Sequence, residues 1–275
     1  MARLHFFEFE DQSWFPGLLR AQMTDYLVYA VRQLRSFPSY AASRLAPALR
    51  ARGQRRLVDL GSGSGGVMPE VVRALADEQG IQAGALLTDR YPHGAHAAEV
   101  REEPTGRVDF HPDPVDATHV PADLHGVRTL FLSFHHFRPE PAREILADAV
   151  RAGSGIAIFE LTERRLISIL GSVPGIPVMV LLLTPFMRPF QWSRLLFTYL
   201  LPILPFLIFW DGLVSHLRTY SVAELEQLVA ELDAPDWHWD VRRERLPGMP
   251  AACTSLVGYP RADPAPESAS STSRS

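Results

Sequence analysis

A chain of 275 residues, 47% hydrophobic and 21% charged, has the length and composition to bury one large core or two small ones. With 27 Lys+Arg against 31 Asp+Glu, its net charge of −4 leaves no broad cationic surface for phosphates, so nucleic acid is not expected as a partner. The single Cys253 excludes an intramolecular disulfide, a Cys-rich zinc site and a CxxC pair, which fits a reducing cytoplasm. Glu8, Glu10 and Asp11 interrupt the apolar stretch that a secretory signal needs, and export by that route is not expected.

From about Pro16 to Arg52 the residues Leu18, Leu19, Met23, Leu27, Val28, Val31 and Leu34 recur at helical spacing, which predicts two helices broken near Pro38. At Leu57 the period changes to a short apolar run, Leu57-Val58-Asp59-Leu60, stopped by glycines and followed by a helical stretch from Val67 to Gln79. Strands are then expected at Ala85–Thr88, Val108–His111, Thr129–Phe134 and Ile156–Leu161, with a helix over Pro141–Ala152. Ser221 and Glu224 form a capping-box signal for a helix to about Leu232, and strand-like pieces follow at Trp237–Arg242 and Thr254–Tyr259. The alternation implies an α/β fold, a doubly wound Rossmann-like seven-stranded sheet that is mostly parallel. Residues 1–54 read as an N-terminal helical cap, 55–260 as the main domain with an apolar helical insertion over 166–210, and 261–275, rich in Pro, Ala and Ser, as a disordered tail.

The run Gly61-Ser62-Gly63-Ser64-Gly65-Gly66 sits where a doubly wound fold binds ligands, at the carboxyl end of the first strand and leading into a helix. It lacks the Lys-Ser/Thr of a nucleoside-triphosphate loop. Asp59 discriminates further, since a carboxylate at the loop mouth repels a pyrophosphate and attracts a cation.

Leu57-Val58-Asp59-Leu60-Gly61-Ser62-Gly63-Ser64-Gly65 resembles the first strand and loop of the class I S-adenosylmethionine-dependent methyltransferases, whose pattern is apolar-apolar-Asp-apolar-Gly-x-Gly-x-Gly. The resemblance covers about residues 55–165 and the last strands. It implies S-adenosylmethionine as cofactor, with Asp59, Gly61, Ser62 and Gly63 around its methionine part, Asp89 on the ribose and Asp116 at the adenine amino group. It also assigns Arg90, Ala117 and Ser133 to cofactor contact. A solvated loop acid is an equal reading of Asp116, and Asp89 would suit a dinucleotide as well.

Phe131-Leu132-Ser133-Phe134-His135-His136-Phe137 closes the fourth strand, the position from which methyltransferases of this class direct groups at the methyl acceptor. An imidazole from His135 or His136 there suits proton abstraction from a hydroxyl, and the competing reading is a ring that only packs or bonds a carbonyl. Phe134, Glu160, Asp211, His216 and Tyr220 are the expected substrate contacts; for the 210–220 cluster the alternative is a structural network, the safer reading for Arg218. The aromatic residues Phe6, Phe7, Phe9, Trp14 and Phe15 either cap the site or pack helices. No metal is expected, because no HExxH motif or compact His/Asp cluster is present.

From Leu166 to Trp210 the only charged side chains are Arg188 and Arg194, and prolines at 174, 177, 185, 202 and 205 are expected to interrupt its helices. A spanning hairpin would carry both arginines to the far side, against the positive-inside tendency. The insertion is therefore expected to be a lid over an apolar substrate, a surface docked on the inner face of a membrane, or plain core. The function expected is methyl transfer to a small lipophilic acceptor, at oxygen. The rivals are ring closure or isomerisation on the same cofactor fold, a nicotinamide-dependent oxidoreductase and a non-catalytic membrane-associated binding module. Oligomeric state is not legible.

Overall fold

The computed structural model describes residues 1–63, 65–92, 107–248 and 252–261. Two helices, α1 (Gly17–Arg32) and α2 (Ser36–Ala51), precede the strands β1 (Arg56–Leu60), β2 (Gly84–Thr88), β3 (Val108–Phe110), β4 (Val127–Phe131) and β5 (Ile156–Glu160). Between them lie α3 (Met68–Gln79) and α4 (Pro139–Arg151); after β5 come α5 (Leu166–Leu183), α6 (Ile203–Arg218), α7 (Val222–Ala230), β6 (Trp237–Arg245) and β7 (Ala252–Pro260). The seven strands form one sheet in the order β3-β2-β1-β4-β5-β7-β6, parallel from β3 to β5, with β7 antiparallel to both its neighbours.

The central parallel strands are buried almost continuously, on both faces, as strands inside a parallel sheet are. In β5, Ala157 and Phe159 face the layer built by Phe37, Leu45 and Leu49 of α2 with Val71, Val72 and Leu75 of α3. Ile156 and Ile158 face Ile145 and Leu146 of α4 with Leu225 and Leu228 of α7. The α2 helix is thus a layer of the sheet domain, and the cap expected over 1–54 shrinks to the N-terminal segment and α1. The break between the helices falls at residues 33–35 instead of Pro38, which sits in the first turn of α2, where a missing N–H costs no helical hydrogen bond. The expected tail lies almost wholly outside the described residues.

The α5 helix runs unbroken through Pro174 and Pro177, contrary to the expected interruption. Those prolines free the carbonyls of Leu170 and Val173, and both residues are exposed, so neither acceptor is walled off in a core. The return limb does break: Trp192–Leu200 meets Ile203–Arg218 at a bend of 80° beside Pro202.

The Ser221–Glu224 capping box forms as the sequence predicts, with Glu224 N donating to Ser221 Oγ and Ser221 N to Glu224 Oε2 at 2.8 Å. Ser221→Ala is expected to cost about 1 kcal/mol, read as a fall of roughly 2–4 °C in Tm.

Candidate active site

The order of the sheet reverses between β1 and β4, and such a switch point opens a crevice at the strands' carboxyl ends. Asp59, the fourth residue of β1, is buried there and its Oδ1 accepts a 2.6 Å hydrogen bond from Thr129 Oγ1 on β4. Burial pushes its carboxyl up to about 7, against the lowering effect of hydrogen bonds from Thr129 and Ser62. Ser62 Oγ donates to Asp59 O and accepts from Thr88 N, so its side chain shapes the loop between β1 and β2.

Gly61 and Gly63 both hold positive φ, +66° and +54°, which glycine adopts without the strain a Cβ brings. Gly63 N donates to Asp89 Oδ2 at 2.9 Å and Tyr91 N to Asp89 Oδ1 at 2.8 Å, which leaves each carboxylate oxygen a further lone pair for a ligand hydroxyl. Val115 N donates to Asp89 O, and this ties the Asp116 loop to the same end of the sheet. Hydrogen bonds from the Thr118 hydroxyl and amide lower the Asp116 carboxyl. Arg90 is exposed, and Ala117 is buried in the core. Ser64 of the loop lies outside the described residues.

At the end of β4, Leu132 adopts φ +55°, a conformation rare for a branched residue and characteristic of strained functional turns. This turn brings the Ser133 hydroxyl against the glycine loop, 3.6 Å from where a Cβ on Gly61 would stand, and buries Ser133 Oγ without a hydrogen-bond partner. It then sends successive side chains in opposite directions. Phe134 is fully buried beneath the sheet, against Tyr220 and Phe137, so the expected substrate contact through its ring is withdrawn. His135 is buried on the other side, where Glu160 holds it twice: the His135 amide donates to Oε1 at 3.0 Å, and Nδ1 lies 2.9 Å from Oε2. Its Nε2 is buried and unpartnered. Glu160 therefore grips a histidine where a substrate contact was expected.

His136 has a different environment. Its Nδ1 lies 2.9 Å from Asp11 Oδ1 and 3.2 Å from Glu8 Oε2, and although burial opposes the charge, the two carboxylates raise the imidazole to about 9. Arg218 completes the group, with Nη1 2.7 Å from Asp11 Oδ2 and 3.3 Å from Glu8 Oε2. Ligand atoms of Glu8, His135 and His136 converge within 4.8 Å, the geometry of a metal site, but the guanidinium of Arg218 already stands between the carboxylates as their counter-cation.

Residues 3–11 form a strap over this cluster. Arg3 Nη2 donates to the carbonyls of His135 and Phe137, and Arg3 Cζ lies 4.2 Å over the Tyr220 ring. Asp211 accepts from the amides of Phe9 and Glu10, its carboxyl raised to about 6 by burial. Tyr220 donates to Phe137 O, so Asp211 and Tyr220 are fasteners of the strap and turn where substrate contacts were expected. His216 binds the backbone of Glu163 and sits at the root of the insertion. Behind the strap, Thr24 of α1 approaches Gly63 and donates to Glu10, so α1 roofs the glycine loop. Glu8 and Asp11 escape sequence reading because more than a hundred residues separate them from His136.

No protein-family model matches the sequence, and no curated protein matches it. Solved structures do. That of the plantazolicin methyltransferase BpumL in complex with SAH aligns over 92% of this chain and 94% of that one, with a TM-score of 0.56 at 14% identity. BpumL with a monoazolic desmethylPZN analog and SAH gives the same TM-score over 92% and 96%. The chain has the fold of the class I S-adenosylmethionine-dependent methyltransferases. The mitomycin 7-O-methyltransferase MmcR aligns less closely, at a TM-score of 0.46 and 18% identity, and the chain spans 55% of its length.

The residues present fit the cofactor this fold class takes: a glycine cradle, a buried acid at its mouth, a carboxylate with spare lone pairs and an orphaned serine hydroxyl. Because Asp59 gains its charge near pH 7, affinity for S-adenosylmethionine measured by calorimetry is expected to rise between about pH 6 and 8. Asp59→Asn should lower that affinity tenfold or more and flatten its pH dependence. His136 shifts stability in its own window: with the folded pKa raised from 6.5 to about 9, its contribution is complete below about 6.5 and lost as pH rises through about 9. Thermal melts of His136→Gln should lose that alkaline decline.

Proposed function

We propose that this protein transfers a methyl group from S-adenosylmethionine to a hydroxyl oxygen of a small lipophilic acceptor, with His135 as the base. The observation that carries this reading is the His135–Glu160 pair: one imidazole nitrogen fixed by a carboxylate, the other buried and free, beside a serine that abuts the glycine loop. When bound, S-adenosylmethionine supplies a methyl already activated on a sulfonium. Asp59 and Asp89, with the loop glycines and Ser133, would hold it.

The protein's part is then alignment and proton management. Glu160 fixes the tautomer of His135, with the proton on Nδ1 and the Nε2 lone pair available to take a hydroxyl proton as the oxygen attacks. Its two contacts, to the His135 amide and to Nδ1, hold the ring in place. His136, kept charged by Glu8 and Asp11, is a poor base at neutral pH, so the two adjacent histidines divide the roles of base and fixed cation. An apolar acceptor is supported by what adjoins the strap: Trp210 against Phe7, and Phe206 against Phe9, link the insertion to the roof of the site. A cytoplasmic setting is supported by the lone, buried thiol of Cys253.

His135→Ala is expected to lower kcat by about 10²–10⁴ with cofactor affinity unchanged. Glu160→Gln should lower it less, because an amide oxygen can still accept from Nδ1 and keep the ring oriented. Full turnover in His135→Ala would overturn the assignment. Mass spectrometry of a cell extract incubated with methyl-labelled cofactor identifies the acceptor, and a rearranged but unlabelled product would favour isomerisation instead.

A further inference from the structure

The insertion leaves an apolar surface that nothing among the described residues covers. The helical stretch Leu166–Phe186 is 21 residues long and carries no charged residue. Ile176, Val180 and Leu183 of α5 pack with Tyr26 and Tyr29 of α1 and Ile208 of α6. At 100° per residue these three residues occupy one narrow face, while Ile167, Leu170, Val173, Met179, Leu181 and Leu182 spread over roughly two-thirds of the circumference, all exposed. A globular helix normally shows a polar face to water, and one that is apolar nearly all round belongs in a core or in lipid.

We infer that α5 and the hairpin tip dock in the plane of a lipid bilayer with anionic headgroups, α5 lying shallow with its packed face toward α1. Four observations select lipid over a second copy of the chain. First, the apolar surface wraps around α5, whereas a protein partner covers a stripe. Second, the tip gathers exposed Phe186, Phe190 and Trp192 around exposed Arg188, the aromatic and cationic set that anchors at the level of lipid headgroups. Third, no Asp or Glu occurs between Leu166 and Trp210, and Arg194 is buried against Asp25, so the charge presented is that of Arg188 and is complementary to an anionic surface. Fourth, the patch continues through Phe206, Phe9 and Trp14 onto the N-terminal strap, which carries Glu8 and Asp11 over the site. A full crossing is disfavoured by the carbonyls of Leu170 and Val173, freed by Pro174 and Pro177, which need water or headgroups as partners, and by the 80° bend of the return limb. On the methyltransferase reading, a lipophilic acceptor would reach the strap from the bilayer; the docking itself needs neither cofactor nor substrate.

The test is flotation of the full chain, without cofactor, on phosphatidylcholine vesicles with and without phosphatidylglycerol. The wild type should float, and Leu170→Glu/Leu182→Glu/Leu200→Glu, at three exposed positions, should lower the partition coefficient at least tenfold with unchanged circular dichroism. Arg188→Glu should weaken binding about fivefold on anionic vesicles and little on neutral ones. Should the triple variant misfold, quenching of wild-type fluorescence by brominated lipid, reduced in Trp192→Phe, reads the same contact. The inference is overturned if the wild type stays in the dense fraction, if the triple variant floats equally well, or if light scattering shows a dimer that the triple substitution dissociates while vesicles leave it intact. None of these results depends on catalysis, so a chain that floats but transfers no methyl would sink the functional reading alone.

Discussion

The buried guanidinium of Arg218 is the constraint on which the site depends. A charge with that little exposure is tolerable only when its donors are met, and breaking such a set costs far more than the set contributes over an apolar one. Here the partners come from distant parts of the chain: Glu8 and Asp11, both bonded to His136, and the carbonyl of Phe6. Satisfying one cation therefore fixes the N-terminal strap, the last turn of α6 and the turn after β4 relative to one another.

That arrangement explains how two neighbouring histidines acquire opposite characters. Leu132, at positive φ, ends the strand alternation and starts a tight turn, so His135 falls to Glu160 on β5 and His136 to the carboxylates of the strap. Glu160 orients the His135 ring and leaves its Nε2 without a partner, whereas two carboxylates hold the His136 ring charged. The different surroundings of the two rings thus rest on one backbone torsion and on where three acids stand.

The apolar hairpin is continuous with this machinery. Glu163, at the root of α5, accepts from Arg243 and Ala252 of the antiparallel strand pair, and His216 of α6 binds its backbone. Both limbs of the insertion thus start from the edge of the crevice, and α1 is packed between them and the glycine loop. The apolar surface is thus held by polar fasteners on the rim of the crevice.

Local signals in the sequence determined the sheet, its glycine loop with Asp59 and Asp89, the capping box at Ser221 and the two histidines, because hydrophobic period, turn chemistry and capping act over a few residues. They also marked the insertion, whose lack of charge is a property of composition alone. Tertiary structure decided the rest. It set which way Phe134 and His135 point, moved Asp211 and Tyr220 from the substrate to the strap, brought Glu8 and Asp11 to His136, and let α5 run through two prolines with its freed carbonyls on the surface. Each of these outcomes turns on a contact between segments far apart in sequence or on one torsion that breaks a repeating pattern, and neither leaves a local trace in the order of residues.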